Sequence, residues 1–502
     1  MPVALAFESD DGSRAIATRV QVVESDGVRA EDCDVLEYYA VERTVRQLRA
    51  GGFRRIALQF PDSLLSDAAR VQQALMDGLE GQYDLVYVLG DTSYGSCCVD
   101  EVASQHLGAD CVIHYGRTCL SPTTAVPVIY VFGNAPVDVA DCTQQLAARL
   151  AQVPADKTAV LLYEPRFHHA RQDVLAGLEA LQGERRIVLG EMDTMFDPKA
   201  ASESPDTAEV RIGGQRVELP CELNGDSVVF LYVGAESAHL TSILMRYSAI
   251  ECFSYDPDMQ TVRKEGAAVN KALMRRYFLV QQAKEAQIFG ILMGTLGVSK
   301  YLDIVRSVQK LIKASGRKSY LFVVGKVNVP KLANYAEIDA FVLVACQQNS
   351  LMDSKEFYKP IVTPHELQLA LAESDEWTGE LKTDFQEVLP ALEQTASELE
   401  ATNGVDSGDD APFFSLVTGT YQSKTNGLNS SSASALALED GVASTALQVK
   451  NEHSKLTTYR SEAAEFLATR EYRGLDPRLG ETPAHAAVMG STGIARGYDH
   501  EH

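Results

Sequence analysis

Short apolar runs, each followed by a mixed stretch of helical spacing, recur along most of the chain. RIALQF (55–60), DLVYVLG (84–90), DCVIHY (110–115) and PVIYVF (127–132) are apolar at nearly every position rather than at alternate ones. Such strands are buried on both faces, and helices between them point to a parallel sheet. YYAVERTVRQLRA (38–50) predicts a helix that stops at Gly51-Gly52, and Pro61-Asp62-Ser63 starts another over about 64–79. The pattern restarts with TAVLLY (158–163), RIVL (186–189) and DSVVFLYV (226–233). It restarts again with QIFGILM (287–293), SYLFVV (319–324) and DAFVLV (339–344). An amphipathic stretch over 258–285 predicts a long linking helix.

These units echo one another. Asp110, Asp226 and Asp339 each precede an apolar strand that ends in a small residue or a cysteine. The expected fold is α/β, with three similar parallel-sheet domains over residues 36–150, 151–258 and 259–390. A flexible N-terminus over 1–35 precedes them, and an acidic, Ser/Ala-rich, partly disordered tail over 391–502 follows. In such sheets functional groups gather at the carboxyl ends of the strands, where Cys119 and Cys346 fall. Residues 371–412 hold twelve acids and the single Lys382 around the only tryptophan, Trp377, and read as a solvated face. Residues 423–455, rich in Ser, Ala and Asn, read as a linker, and the Gly-rich end as an extended tail.

Composition adds limits. Apolar residues make up 45% of the 502, enough for several cores, and the formal charge of −24 argues against non-specific phosphate binding. No run approaches a membrane span, and the acidic start Met1–Asp11 lacks a signal-peptide pattern, so a cytosolic protein is expected. Nine cysteines at irregular spacing in such a compartment do not suggest a disulfide framework.

Dinucleotide, phosphate-loop, HExxH, GxSxG and CxxC patterns are all missing. The strongest local feature is GDTSYGSCCVDE (90–101), directly after a buried strand. Its glycines imply a tight turn, and thiols at a strand-to-helix turn favour the thiolate that an iron–sulfur cluster needs. HYGRTCLSPT (114–123) follows the next strand. Cys98 and Cys119 lie 21 positions apart, so they meet only if neighbouring parallel strands bring them together. Cys33, Cys111, Cys142, Cys221 and Cys252 read as packing residues. His114 reads as a bonded strand-end histidine, and His168-His169 as surface residues in a loop flagged by Pro165 and Arg166.

The same residues resemble the diphthamide biosynthesis protein 1/protein 2 family. RIALQFPDSLL (55–65), GDTSYGSCCVDE, HYGRTCLSPT, VGKVNVPKLANYAEIDAFVLVACQQNSL (324–351) and DSKEFYKPIVTPHEL (353–367) carry the likeness, over roughly residues 38–390. The resemblance implies three similar α/β domains around a central 4Fe-4S cluster. It implies transfer of a 3-amino-3-carboxypropyl group from S-adenosylmethionine to a histidine of elongation factor 2, by a non-standard radical route. The family's catalytic paralogue takes one cysteine from each domain, the middle one in a pattern like Leu-Gly-Cys-Thr. Here that place reads Leu189-Gly190-Glu191-Met192. The chain therefore resembles the accessory paralogue, which helps keep its partner's cluster reduced. The ligands carried over are Cys98, Cys119 and Cys346, with Cys97 as the alternative to Cys98. The implied partners are diphthamide biosynthesis protein 1 in a heterodimer, elongation factor 2 as substrate of the complex, and the small reductant diphthamide biosynthesis protein 3. Pseudo-symmetry places the partner interface in the first domain. Competing readings are a cluster-free scaffold, the catalytic paralogue itself, and a zinc site.

Overall fold

The computed structural model describes residues 34–90, 94–183, 185–201, 210–352, 356–372 and 377–403, with short strand pieces at 413–414, 421–422, 448–450 and 456–458. Residues to Thr425 form one compact unit, and Asn426–His502 form a second.

Parallel sheets carry the first unit. β1 (Arg55–Gln59), β2 (Leu85–Val88), β3 (Cys111–Tyr115) and β4 (Val128–Val131) lie in the order β2-β1-β3-β4. Every residue of β3 and β4 is buried, as strands apolar on both faces require. β5 (Thr158–Tyr163) and β6 (Ile187–Leu189) begin a second sheet, and β7 (Met195–Phe196) then returns to pair antiparallel with β4. β8 (Val210–Ile212) and β9 (Gln215–Val217) form a separate hairpin. β10 (Val228–Val233), β11 (Glu251–Asp256) and the antiparallel β12 (Thr261–Glu265) complete the second sheet as β6-β5-β10-β11-β12. β13 (Ile288–Met293), β14 (Lys318–Val323), β15 (Ala340–Val344) and β16 (Ile361–Val362) form a third, ordered β14-β13-β15-β16. In each sheet the second strand of the set lies outside the first, followed by the third and fourth.

Part of the sequence echo has a mechanical basis. The Asp110 carboxylate accepts the backbone N–H groups of Arg54 and Arg55 at 2.8 and 3.0 Å, where β1 begins. Asp339 accepts those of Gln287 and Ile288, both at 3.0 Å, where β13 begins. Each aspartate ties the start of its own strand to the strand beside it. The second sheet departs from this. There Asn224 Oδ1 accepts the N–H groups of Asp226 and Ser227 instead.

Several elements differ from the sequence reading. Asp62–Asp67 is a 3-10 turn, and the helix proper runs Ala68–Leu79. The stretch 258–285 is not one helix: β12 takes its first part and the helix spans Ala267–Glu285. β11 and β12 escape an apolar-run search because their polar groups pair across the strands. Ser254 Oγ donates to Glu265 at 2.6 Å, and Lys264 meets Glu251 at 2.5 Å. The acidic run is only partly a solvated face. Its helix Phe385–Asn403 buries Phe385, Val388, Leu392 and Ala396 against the helix Tyr301–Ala314, and continues through the expected boundary at 390. His168 and His169 sit in a 3-10 turn, Pro165–Ala170, where His169 is exposed and His168 is half-buried against Tyr163. The linker and tail expected over 423–502 lie outside the described residues, except for the antiparallel pair Gln448–Lys450 with Leu456–Thr458. Among the described residues no helix is long and apolar enough to cross a membrane.

One buried ion pair joins helices that flank the third sheet. Arg276 Nε donates to Glu366 Oε1 at 2.5 Å and Nη2 donates to Oε2, with side-chain exposures of 9% and 0%. Glu366 also completes the capping box of its helix, accepting the Thr363 N–H at 2.7 Å. Removing one partner of such a pair strands a buried charge, at a cost of about 3–5 kcal/mol. Arg276→Met is therefore expected to lower unfolding free energy by roughly that amount in urea titrations, with much of it recovered in Arg276→Met/Glu366→Leu. A loss below about 1 kcal/mol would contradict the pairing.

Candidate metal centre

The carboxyl ends of β2, β3 and β15 feed three loops that meet. After β2, Gly95 to Cys98 make a tight turn closed by Cys98 N–H to Gly95 C=O at 3.2 Å. After β3, the chain reverses through Gly116 and Leu120, whose φ angles are 81° and 53°, and presents Cys119 between them. After β15, Cys346 leads into a short 3-10 turn, held by Ser350 N–H to Cys346 C=O at 2.9 Å. Strand-end geometry thus delivers thiols from residues 249 positions apart, Cys97 and Cys346, to a sulfur–sulfur distance of 3.5 Å.

The sulfurs of Cys97, Cys98, Cys119 and Cys346 all lie within 4.8 Å of one another, and all four residues are buried. Their exposures are 0%, 5%, 7% and 1%. Four thiols at this spacing share protons. The Cys119 sulfur is held well below the ordinary thiol range, chiefly by the hydrogen bond from Cys346 and then by those from Cys97 and Cys98. Cys98 and Cys346 are pushed well above it, first by their proximity to Cys119. Cys97 is lowered: Cys119 drives it up, but the bonds from Cys346 and Cys98 outweigh that. A cation at the centre of this buried group would favour the thiolate form of all four. A set of four sulfurs in one pocket is the donor chemistry of an iron–sulfur cluster or a tetrahedral zinc ion, so the residues fit a thiolate-bound metal.

All three expected ligands, and the reserve Cys97, therefore converge. The cysteines read as packing residues behave otherwise. Cys111, Cys142 and Cys252 are buried in separate cores, and burial raises each thiol, Cys142 to about 12. Cys221 is half-buried beside Thr158, and Cys33 lies outside the described residues. Glu191 does not join the sulfur group. Its carboxylate takes Arg171 Nε at 2.9 Å and Gln172 Nε2 at 3.1 Å. His114 is buried and kept neutral by desolvation. Its Nε2 lies 3.0 Å from the Arg117 carbonyl, while Nδ1 has no partner.

Four polar residues that hold the loops were not singled out from sequence. Gln59, at the end of β1, donates to Cys98 C=O at 2.8 Å and accepts the Asp100 N–H at 2.9 Å. Glu101 is buried and accepts the N–H groups of Thr124, Ala125 and Val126 at 2.8–3.1 Å, which fixes the chain beyond Cys119. Gln348 donates to Thr118 C=O at 3.0 Å, linking the third sheet's loop to the first's. Thr295 Oγ1 donates to Cys98 Sγ at 3.7 Å. The available signal was a polar residue where an apolar strand ends, as in RIALQ, but such residues are common at strand ends.

The loops leave no room between them. A Cβ at Gly297 would stand 1.9 Å from the Val99 carbonyl oxygen, a backbone atom that cannot rotate away. Gly297→Ala is expected to displace the 94–99 turn and cut metal bound per chain several-fold, while far-UV circular dichroism stays unchanged. Gly266→Ala, where an added Cβ meets nothing within 4 Å, serves as the control and should bind as the parent does. Equal metal content in the two variants would contradict the packing described.

Comparison with known proteins points one way. A family model described as "Putative diphthamide synthesis protein" matches residues 60–382. The chain is 38% identical over 489 residues to the 2-(3-amino-3-carboxypropyl)histidine synthase subunit 2 of Danio rerio, covering 93% of this chain and 92% of that one. It is 39% identical to the protein of that name from Gallus gallus, over 99% of both chains. Its fold is similar to the crystal structure of Dph2 from Pyrococcus horikoshii, with a TM-score of 0.51 at 21% identity over 68% of this chain and 93% of that one. A second structure of that protein, with a 4Fe-4S cluster, matches with the same score and identity over 67% and 92%. With matches of this length and identity, the chain belongs to the diphthamide synthesis protein family.

Proposed function

We propose that this chain is the accessory iron–sulfur subunit of a two-subunit enzyme. The enzyme transfers a 3-amino-3-carboxypropyl group from S-adenosylmethionine to a histidine of elongation factor 2, the first step of diphthamide synthesis. The observation that carries the reading is the burial of four cysteine sulfurs within 4.8 Å of one another, on loops from two sheets. The names of the relatives and the cluster-bearing neighbour support it. Cys98, Cys119 and Cys346 would hold a 4Fe-4S cluster, which supplies one-electron chemistry. The partner would be the catalytic paralogue, diphthamide biosynthesis protein 1. A small reductant, diphthamide biosynthesis protein 3, would feed electrons through this chain in the cytoplasm.

An accessory rather than catalytic role rests on Glu191. The resemblance puts a thiol of the catalytic paralogue at that place, and here its carboxylate is engaged by Arg171 and Gln172. This chain's own work is then to enclose the group, keep water away from it and pass an electron. A second reading has one observation in its favour. Sulfurs packed this closely also suit a single tetrahedral ion with metal–sulfur bonds of about 2.3 Å.

The test uses the heterodimer. Replacing Cys98, Cys119 and Cys346 together by alanine is expected to remove this chain's iron and to slow histidine modification severely, with the two subunits still co-purifying. The parent chain alone, given a strong reductant and S-adenosylmethionine, is expected to modify no elongation factor 2. Full iron in the triple variant would overturn the ligand assignment, and modification by the lone chain would make it the catalyst.

A further inference from the structure

We infer that Cys97 is a fourth ligand, so that every corner of the cluster is held by this chain and no iron is left open for a substrate. The inference rests on the iron–sulfur reading above and narrows what that centre can do.

Adjacent side chains on an extended strand point to opposite faces, so a Cys-Cys pair normally offers one thiol to a site and turns the other away. Here the pair closes a turn. The Cys98 N–H bonds back to Gly95 C=O at 3.2 Å, and the bend delivers both sulfurs to one place. Cys97 is the more deeply buried of the two, 0% against 5% exposed, and its sulfur is 3.5 Å from that of Cys346. The backbone of both residues is held in place. The Cys97 carbonyl accepts the Cys119 N–H at 3.1 Å, and the Cys98 carbonyl accepts Gln59 Nε2 at 2.8 Å. Two thiols pinned by their backbones into one buried pocket are both positioned as ligands.

The count of ligands decides the chemistry. Three thiolates on a cluster of four irons leave one iron to take a substrate, and four leave none. A thiol fixed inside the pocket outcompetes any diffusing ligand for the last iron, because its effective concentration is far above what a dissolved molecule reaches. The centre then takes one electron from a low-potential one-electron donor and gives one to the partner's cluster. No bond is made or broken at this chain, and cleavage of the S-adenosylmethionine C–S bond stays with the partner.

The experiment uses the full-length chain, loaded anaerobically with iron-57 and sulfide. Its Mössbauer spectrum is recorded with and without S-adenosylmethionine, and its electron paramagnetic resonance after mild ferricyanide oxidation. The parent chain is expected to show only sulfur-ligated iron, unmoved by S-adenosylmethionine, and to resist conversion to a 3Fe-4S form. Cys97→Ala is expected to expose one distinct iron subsite and to convert readily. A distinct subsite in the parent chain, or a Cys97→Ala spectrum identical to the parent's, would overturn the inference while leaving the iron–sulfur reading intact. If Cys97→Ala binds no iron, the parent spectrum alone decides. A parent chain that takes up no iron at all would overturn both.

Discussion

Four sulfurs in the protein interior, within 4.8 Å of one another, are the constraint around which this fold is arranged. Thiols packed that closely resist ionising together in the absence of a metal, because each further thiolate faces the last across a low-dielectric core. A metal removes that resistance. It supplies the positive charge, takes the sulfurs as thiolates and releases their protons, so metal affinity and the cohesion of the loops become coupled. The loops are built for this. Gln348 reaches across to the Thr118 carbonyl, and the Ser299 N–H donates to Pro122 C=O at 2.8 Å. These bonds tie the loop edges of the first and third sheets together around the sulfurs.

The second sheet contributes no thiol to the group. It shares a hydrophobic core with the first, in which Val112, Val128 and Tyr130 pack with Leu161, Leu231 and Phe253 among other buried side chains, and β7 adds an edge strand to β4. In this part of the chain Glu191 is paired with Arg171, and its backbone exchanges two hydrogen bonds with Arg216, at 2.8 and 2.9 Å. This part of the molecule therefore braces the site from behind.

Much of this was legible in the sequence because buried parallel strands are apolar at nearly every position. β1, β3, β4, β5, β10, β13 and β15 all fall on such runs. The aspartates opening the echoed segments marked real strand ties at Asp110 and Asp339. The turn around Cys97-Cys98 announced itself through glycines flanking Tyr94. What local pattern could not give was the meeting of Cys346 with Cys97, since closure across 249 positions is a property of the folded topology. β11 and β12 were hidden because polar side chains that satisfy one another across the ladder interrupt their apolar positions. The helix Phe385–Asn403 was masked by its acids, although Phe385, Val388, Leu392 and Ala396 recur at helical spacing on its buried face. Glu101 and Gln59 carry no signal of their own, because their worth lies in backbone groups they meet only once the loops have closed.

What the four sulfurs hold decides what this chain can do. The most direct measurement is iron and acid-labile sulfide per chain in the unmodified protein, purified without oxygen. About four of each are expected, with a broad thiolate-to-iron absorption band. One zinc per chain with no sulfide would contradict the iron–sulfur reading.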